Sequence, residues 1–444
     1  MKNLLSIIVL IFFALHTNAQ QKTWTLQECV NYAHQHNLQL KQNKLNVDQA
    51  KINKSGAKMA YLPSLNASTS ASWNSGLTQN FTTGVLENQT NFGGNASISS
   101  NINIFSGFRN RYNVKKAQLE IDVAQYRYAD AESNIDMQVA LAYMQILLNK
   151  ESWVTAQKQL ENSIRQKDKI NEMIKVGVLP KGDLTDAEAQ ITNDHLQVIQ
   201  AENAYALSKL NLAQLLELNS FDHFEIDSQL EGLNIDETLL HSEANSLFSQ
   251  ALQVRDFIKA DKVNNEIAHY QVKLAKSSLY PRLSGFVNVN TRYSDRQGVG
   301  MGGVITPADP LWTQVKNNRG ISYGVNLNIP IFNGLSARNQ VKSAQLNVTR
   351  NEIALENDKK KLRNDVYQMK QDLQAAFQSM KAAEANLKAQ QKSYNYATEK
   401  FNVGMMNIFD LNTIKTKYAA AENQYIRAKY QYFLKSKILE FTVK

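Results

Sequence analysis

Two stretches of the chain follow one pattern, "NINIFSGFRNRYNVKKAQL" at residues 101 to 119 and "NIPIFNGLSARNQVKSAQL" at residues 328 to 346. Ile102, Ile104, Phe105, Gly107, Arg111, Val114, Lys115, Ala117, Gln118 and Leu119 recur 227 positions later as Ile329, Ile331, Phe332, Gly334, Arg338, Val341, Lys342, Ala344, Gln345 and Leu346. Upstream, Ala57 and Pro63 match Ala275 and Pro281 at an offset of 218, so the nine-residue difference falls inside one loop. A chain that writes one unit twice is built from two similar units, and this restricts its fold more than any composition value does.

Each copy reads as helix, β-hairpin, long helix, turn and helix. The first spans residues 20–218, the second 242–444, and 219–241 connects them. Residues 26–59 read as a helix stopped by Pro63, which disfavours the helical region for its predecessor. The period then changes to two, which marks strands. The first hairpin has a strand at about 64–76, with Leu65, Ala67, Thr69, Ala71 and Trp73 on one face, and a strand at about 91–105, with Phe92, Ala96, Ile98, Ile102 and Ile104. The second has strands at about 282–294 (Leu283, Val287, Val289, Thr291, Tyr293) and 320–331 (Ile321, Tyr323, Val325, Leu327, Ile329, Ile331). Asn and Ser fill most of the opposite faces.

Long helices follow, from 107 to about 175 and from 334 to about 401. In the second, Leu373, Ala376, Met380, Ala383, Leu387, Gln390, Tyr394, Ala397 and Phe401 step by three and four, the pattern of a coiled-coil seam. Each long helix ends in a Val-Gly tip, at residues 176–183 and 403–410, and a returning helix runs to about 217 and 441. At about 1.5 Å per residue the long helices extend about 100 Å, and the two shorter helices of each copy, laid end to end, match that length.

Residues 1–19, with Lys2, an apolar run from Leu4 to Leu15 and small residues at Thr17 and Ala19, read as an export signal. The apolar run is shorter than the ~20 residues a spanning helix needs. Cys29 is the only cysteine, which excludes an internal disulfide, and without basic neighbours it reads as a small half-buried helix residue rather than a reactive thiol. The net charge of +9, from 49 Lys and Arg against 40 Asp and Glu, is spread along polar helix faces, and export argues against nucleic acid as a partner. His34 and His36 stand two apart on a helix and share no face, so no metal site is expected, and no nucleophile, phosphate loop or catalytic pair is present. Neither a cofactor nor enzyme activity is expected.

Four strands with one apolar face cannot stand as an open sheet in lipid, because unpaired backbone groups are not tolerated there. Trp73, Tyr293 and Tyr323 lie on the apolar face, where an aromatic membrane girdle would be. A soluble sandwich is the alternative, but one chain supplies few strands and no Greek-key connection for it. Two chains would give eight strands and a filled barrel; three would give twelve and leave a lumen.

The order of "LPSL" and "YPRL" before strands, "NIPIFNG" closing a strand into a helix, and Val-Gly tips followed by "DL" resembles the TolC-type outer membrane efflux proteins over nearly the whole chain. The resemblance implies a mainly α fold with a small β part: a homotrimer whose 12-stranded transmembrane β-barrel continues as a periplasmic α-helical barrel. It implies the exit duct of a tripartite efflux pump, set in outer-membrane lipid and docking a periplasmic adaptor and an inner-membrane pump. Type I protein secretion, or a structural coiled-coil envelope protein, are the alternatives. The hairpin loops at 75–91 and 295–318, which include Thr82 and Gly302, would then be extracellular.

The tips carry Val176, Gly177, Val178, Leu179, Val403, Gly404, Met405 and Met406, apolar residues on turns that are usually polar. They read either as glycine turns with local packing or as a partner surface, and the resemblance points to adaptor docking. It also makes Asp410 a candidate for the periplasmic entrance gate, with Thr413 where a second acid would be; on its own sequence position Asp410 reads more as a cap that opens the returning helix than as a gate, and the two roles can coexist.

Overall fold

The computed structural model describes residues 23–79, 84–219, 224–227, 238–296, 298–299 and 305–444. The expected signal peptide, Thr82 and Gly302 lie outside these residues. Two compact units are present, each drawing segments from both sequence copies. One comprises Asn46–Ala124 and Ala260–Leu355; the other comprises Gln125–Lys259, Glu356–Lys444 and the described residues up to Leu45.

The first unit holds an antiparallel sheet of β1 (Ser64–Gln79), β2 (Leu86–Ser106), β3 (Arg282–Ser294) and β4 (Gly320–Asn328), in that order. The two expected hairpins are β1–β2 and β3–β4, and β2 pairs with β3 to join them. The register keeps apolar residues level: Ala67 faces Ile98, Ile98 faces Val289 and Val289 faces Ile321. A one-residue slip would turn every one of these side chains to the other face.

Differences from the sequence reading have local causes. β1 and β2 extend further toward their loop than expected, to Gln79 and from Leu86. β4 stops at Asn328 instead of 331, since Pro330 has no amide hydrogen for the ladder. The first copy has Asn103 at that position, and its strand continues through a register shift between Asn103 and Phe105. The expected loop at 295–318 contains a short helix, Leu311–Asn317. Both strand-to-helix corners use a left-handed pair, Gly107 (φ 62°) with Phe108 (φ 65°) and Gly334 (φ 62°) with Leu335 (φ 65°).

The helices longer than ten residues among the described residues are α1 (Leu26–His36), α2 (Leu38–Met59), α3 (Arg109–Lys175), α4 (Gly182–Leu215), α5 (Ala244–Val254), α6 (Asp256–Lys276), α7 (Ser336–Asn402) and α8 (Ile408–Val443). α3 and α7 are each 67 residues long. Among the described residues no helix is long and apolar enough to cross a membrane. The helix expected over 26–59 breaks at Asn37, whose backbone leaves the helical region (ψ 126°). The Asn37 side chain accepts from the amides of Gln39 (3.0 Å) and Leu40 (3.2 Å) and donates to the Leu215 carbonyl (3.3 Å), so a contact distant in sequence holds the break. Arg255 separates α5 from α6 in the same way, 218 residues later.

The helical unit buries a core in which Cys29, Val139, Tyr143, Ile146, Leu212, Leu216, Ile226 and Ile426 meet. Cys29 is fully buried rather than half-buried, and burial pushes its thiol up to about 12, so it is inert at neutral pH. Of the connecting segment, Glu225–Ile226 pairs in parallel with Thr23–Trp24, and the Tyr143 hydroxyl donates to the Asp227 carbonyl (2.6 Å). His34 pairs with Asp136 and His36 stacks on Tyr32; no metal-binding cluster is found among the described residues.

Candidate functional site

At the tips, α3 and α7 end in the same way. Val178 N donates to Met173 O (2.9 Å) and Gly177 N to Ile174 O (3.0 Å); Met405 N donates to Lys400 O (2.8 Å) and Gly404 N to Phe401 O (3.0 Å). This is a Schellman ending, which places its glycine at positive φ, here 77° at Gly177 and 74° at Gly404. The glycines therefore have a backbone reason. Their neighbours do not share it.

Leu179 and Met406 turn inward onto a buried cluster of Ile170, Ala187, Ala397, Phe401, Ile408 and Leu411, which packs the two tips against each other. Val176 (74 % exposed), Val178, Val403 and Met405 (76 % exposed) point outward, as does Phe409 on the first turn of α8 (72 % exposed), a residue missed in the sequence. Five large apolar side chains thus lie open around two turns held by a shared core.

Asp410 does not open its helix. The N-cap is Asn407, whose side chain accepts from the Asp410 amide (2.8 Å), while the Asp410 carboxylate accepts from Asn407 Nδ2 (2.9 Å) and is otherwise exposed. An aspartate in the first turn still favours the helix N-terminus electrostatically. Thr413 donates its hydroxyl to the Phe409 carbonyl (2.9 Å) and carries no charge.

Behind the tips lies a polar group that sequence reasoning missed. Lys415 of α8 is buried against Asp194 of α4 (3.1 Å) and the Ser163 hydroxyl of α3; Ser163 also donates to Asp194, and Gln190 donates to the other carboxylate oxygen (2.8 Å). Burial pushes the Lys415 ammonium below its ordinary range, and the Asp194 charge opposes that shift. Lys415 thus fastens the second copy to the first. Asp194→Ala is expected to cost about 3–5 kcal/mol, because it leaves Lys415 buried without its counter-charge. Asp194→Leu with Lys415→Met should recover most of that loss. Thermal unfolding of the three proteins checks this; equal melting in wild type and Asp194→Ala would contradict it.

On the sheet, Trp73 contacts Phe92 (ring centroids 4.7 Å) and Phe92 contacts Tyr293 (5.8 Å), one aromatic group at the loop end of the apolar face. Tyr323 stands apart, level with Val287, Ser100 and Leu65. Eight residues along β1 separate these levels, about 26 Å at ~3.3 Å per residue.

Repeated long helices with a shared apolar-faced sheet are the fold of outer-membrane channel proteins. CusC, solved in a study of transmembrane channel formation, superposes with a TM-score of 0.76 over 97% of this chain and 95% of its own, at 15% identity. The chain belongs to the outer membrane efflux protein family, which matches residues 29–217 and 247–440. Outer membrane efflux protein BepC of Brucella suis is 24% identical over 361 residues, covering 81% of this chain and 72% of BepC. Protein CyaE of Bordetella pertussis is 23% identical over 243 residues, covering 55% of this chain and about half (48%) of CyaE. The chain is accordingly an outer-membrane protein of an efflux family, not an enzyme.

Proposed function

We propose that three copies of this chain close a twelve-stranded barrel and form the passive exit duct of a tripartite efflux pump. The observation that carries this is the sheet: four strands, an apolar face, and outer strands β1 and β4 each paired on one side only among the described residues. The repeat supplies the missing partner. Within one chain, β2 of the first copy pairs with β3 of the second; by the same relation β4 pairs with β1 of a neighbouring copy. Shifting the Ile98–Val289 pair by the two repeat offsets sets Val325 opposite Ala71 of the neighbour. Apolar faces stay continuous across that seam.

The corners agree with this. A Cβ on Gly107 would lie 2.6 Å from the Ser277 carbonyl and 2.8 Å from Tyr280, whereas one on Gly334 meets nothing within 4 Å. The repeat equivalents of Ser277 and Tyr280 are Met59 and Leu62, which a neighbouring copy brings to Gly334.

In this reading Trp73 and Tyr293 form one membrane girdle and Tyr323 the other, spaced on the scale of an apolar band about 25 Å tall. The exposed tip residues dock the periplasmic adaptor, through which the inner-membrane pump is coupled. Asp410 lines the periplasmic entrance, and Asp410→Asn should keep the unfolding free energy within about 1 kcal/mol of wild type while reducing cation selectivity in bilayer recordings. Unchanged selectivity would remove Asp410 from the entrance.

Cysteine labelling tests the orientation. Thr82→Cys and Gly302→Cys should react with a membrane-impermeant thiol reagent on intact cells, and Met405→Cys should not. Protection of both loop positions together with labelling at Met405→Cys would overturn it.

A further inference from the structure

By alternation the face of the sheet opposite Trp73 and Tyr323 carries Ser and Asn along all four strands. The aromatic residue on that face, Phe286, does not stand up from it. Its ring lies over Gly324, 3.2 Å from where a Cβ of that glycine would be. Three charged residues interrupt the polar face on β1–β4: Glu87, Arg282 and Arg292. Arg292 is level with Asn95. Arg282 lies ten residues away along β3 and Glu87 eight residues from Asn95 along β2, about 33 and 26 Å at ~3.3 Å per residue. Arg292 is thus the one charge at its level among the described residues of this face.

The backbone that carries it is fixed on both sides. β3 runs past the point where β4 begins, since Gly320 pairs with Asn290. Side chains take over from the missing strand: Asn318 donates to the Arg292 carbonyl (2.8 Å), and Gln314 accepts from the Ser294 amide (2.9 Å) and donates to the Ser294 carbonyl (2.8 Å). On the other side the Ser70 hydroxyl donates to Asn95 Oδ1, which leaves Asn95 Nδ2 as a donor at the level of Arg292. Both Asn95 and Arg292 are exposed, and Arg292 has no carboxylate partner among the described residues.

In a closed barrel with its apolar face in lipid, the polar face lines the lumen. The repeat equivalent of Arg292 is Asn74, at the 218 offset, so three arginines alternate with three asparagines around one belt. Twelve strands ~4.8 Å apart and tilted about 40° set the wall about 12 Å from the axis. An extended arginine covers about half of that distance, so the three guanidinium groups stand about 10 Å from one another, one Debye length at 0.1 M salt. Their fields therefore overlap across the lumen, and arginine stays charged throughout the accessible pH range.

We propose that this belt binds carboxylate or phosphate groups of solutes in transit, with the three Arg292 guanidinium groups as the attracting charge and Asn95 as a second donor. The duct then takes anionic cargo. The proposal rests on the reading that three chains close a barrel with its polar face inward. Planar-bilayer recording with inorganic triphosphate added on the loop side tests it. Wild type should be blocked. Arg292→Gln, at an exposed position, should weaken the block about tenfold or more, the usual loss for a hydrogen bond to a charged group. It should also raise cation selectivity, the opposite of the change expected for Asp410→Asn. Arg282→Gln removes the same charge at a distant level and should leave the block nearly unchanged. Absence of block in wild type, an unchanged block in Arg292→Gln, or equal losses in Arg292→Gln and Arg282→Gln overturns the belt and leaves the duct standing. A folded, inserted assembly that passes no ions removes the duct itself.

Discussion

Oxidation of the Ala71→Cys/Val325→Cys protein is expected to convert it from single chains to a covalent trimer on a denaturing gel. Each chain then donates one cysteine to the neighbour on either side, so a closed ring links all three chains. Directly opposed residues in an antiparallel pair have Cβ atoms about 4.5–5.5 Å apart, close to the ~3.5–4.5 Å of a disulfide. A diagonal pair lies about 7–8 Å apart. Trp73→Cys/Val325→Cys, displaced by two residues on the same face, should therefore link far less. The native Cys29 is fully buried and does not compete. Dimers only, or better linkage in the displaced pair, would remove the repeat-derived seam.

Gly177→Asp with Gly404→Asp should leave an assembled outer-membrane protein that no longer supports export. Neither glycine has an atom within 4 Å of an added Cβ, so no clash opposes the change. The remaining cost is backbone strain at φ 77° and 74°, about 1–2 kcal/mol per position and least for short polar residues such as aspartate. The substantial effect is electrostatic: a charge is set among the outward side chains of Val176, Val178, Val403 and Met405, where an apolar partner would have to bury it. Resistance of a complemented strain to a compound that loss of the chain makes toxic is the measurement. Wild-type resistance with normal adaptor crosslinking would show that the tips do not dock.

Much of this architecture is legible in the residues because the signals are periodic and doubled. The two strand-to-helix corners, the coincident ends of α3 and α7, and the Val-Gly tips are local patterns that need no distant partner. The seam from Leu373 to Phe401 has no fully exposed member, as its spacing requires. What was not legible depends on contacts distant in sequence. Asn37 breaks its helix while bonded to the Leu215 carbonyl, and nothing in "HQHNLQL" announces it. Lys415 looks like a solvated lysine on α8 until α3 and α4 close over it with Ser163 and Asp194. The helix Leu311–Asn317 is seven residues long, too short to show a period, and its position follows from the edge of β3 that it satisfies. Leu179 and Met406 differ from Val176 and Met405 only by which side of a turn they leave.

Planar-bilayer recording of the purified protein tests the duct most directly. A twelve-stranded lumen continued by helices should give discrete, long-lived unit conductances, with cation selectivity that falls in Asp410→Asn. A folded, bilayer-inserted assembly that passes no ions in either form would contradict it and leave a structural envelope protein in its place.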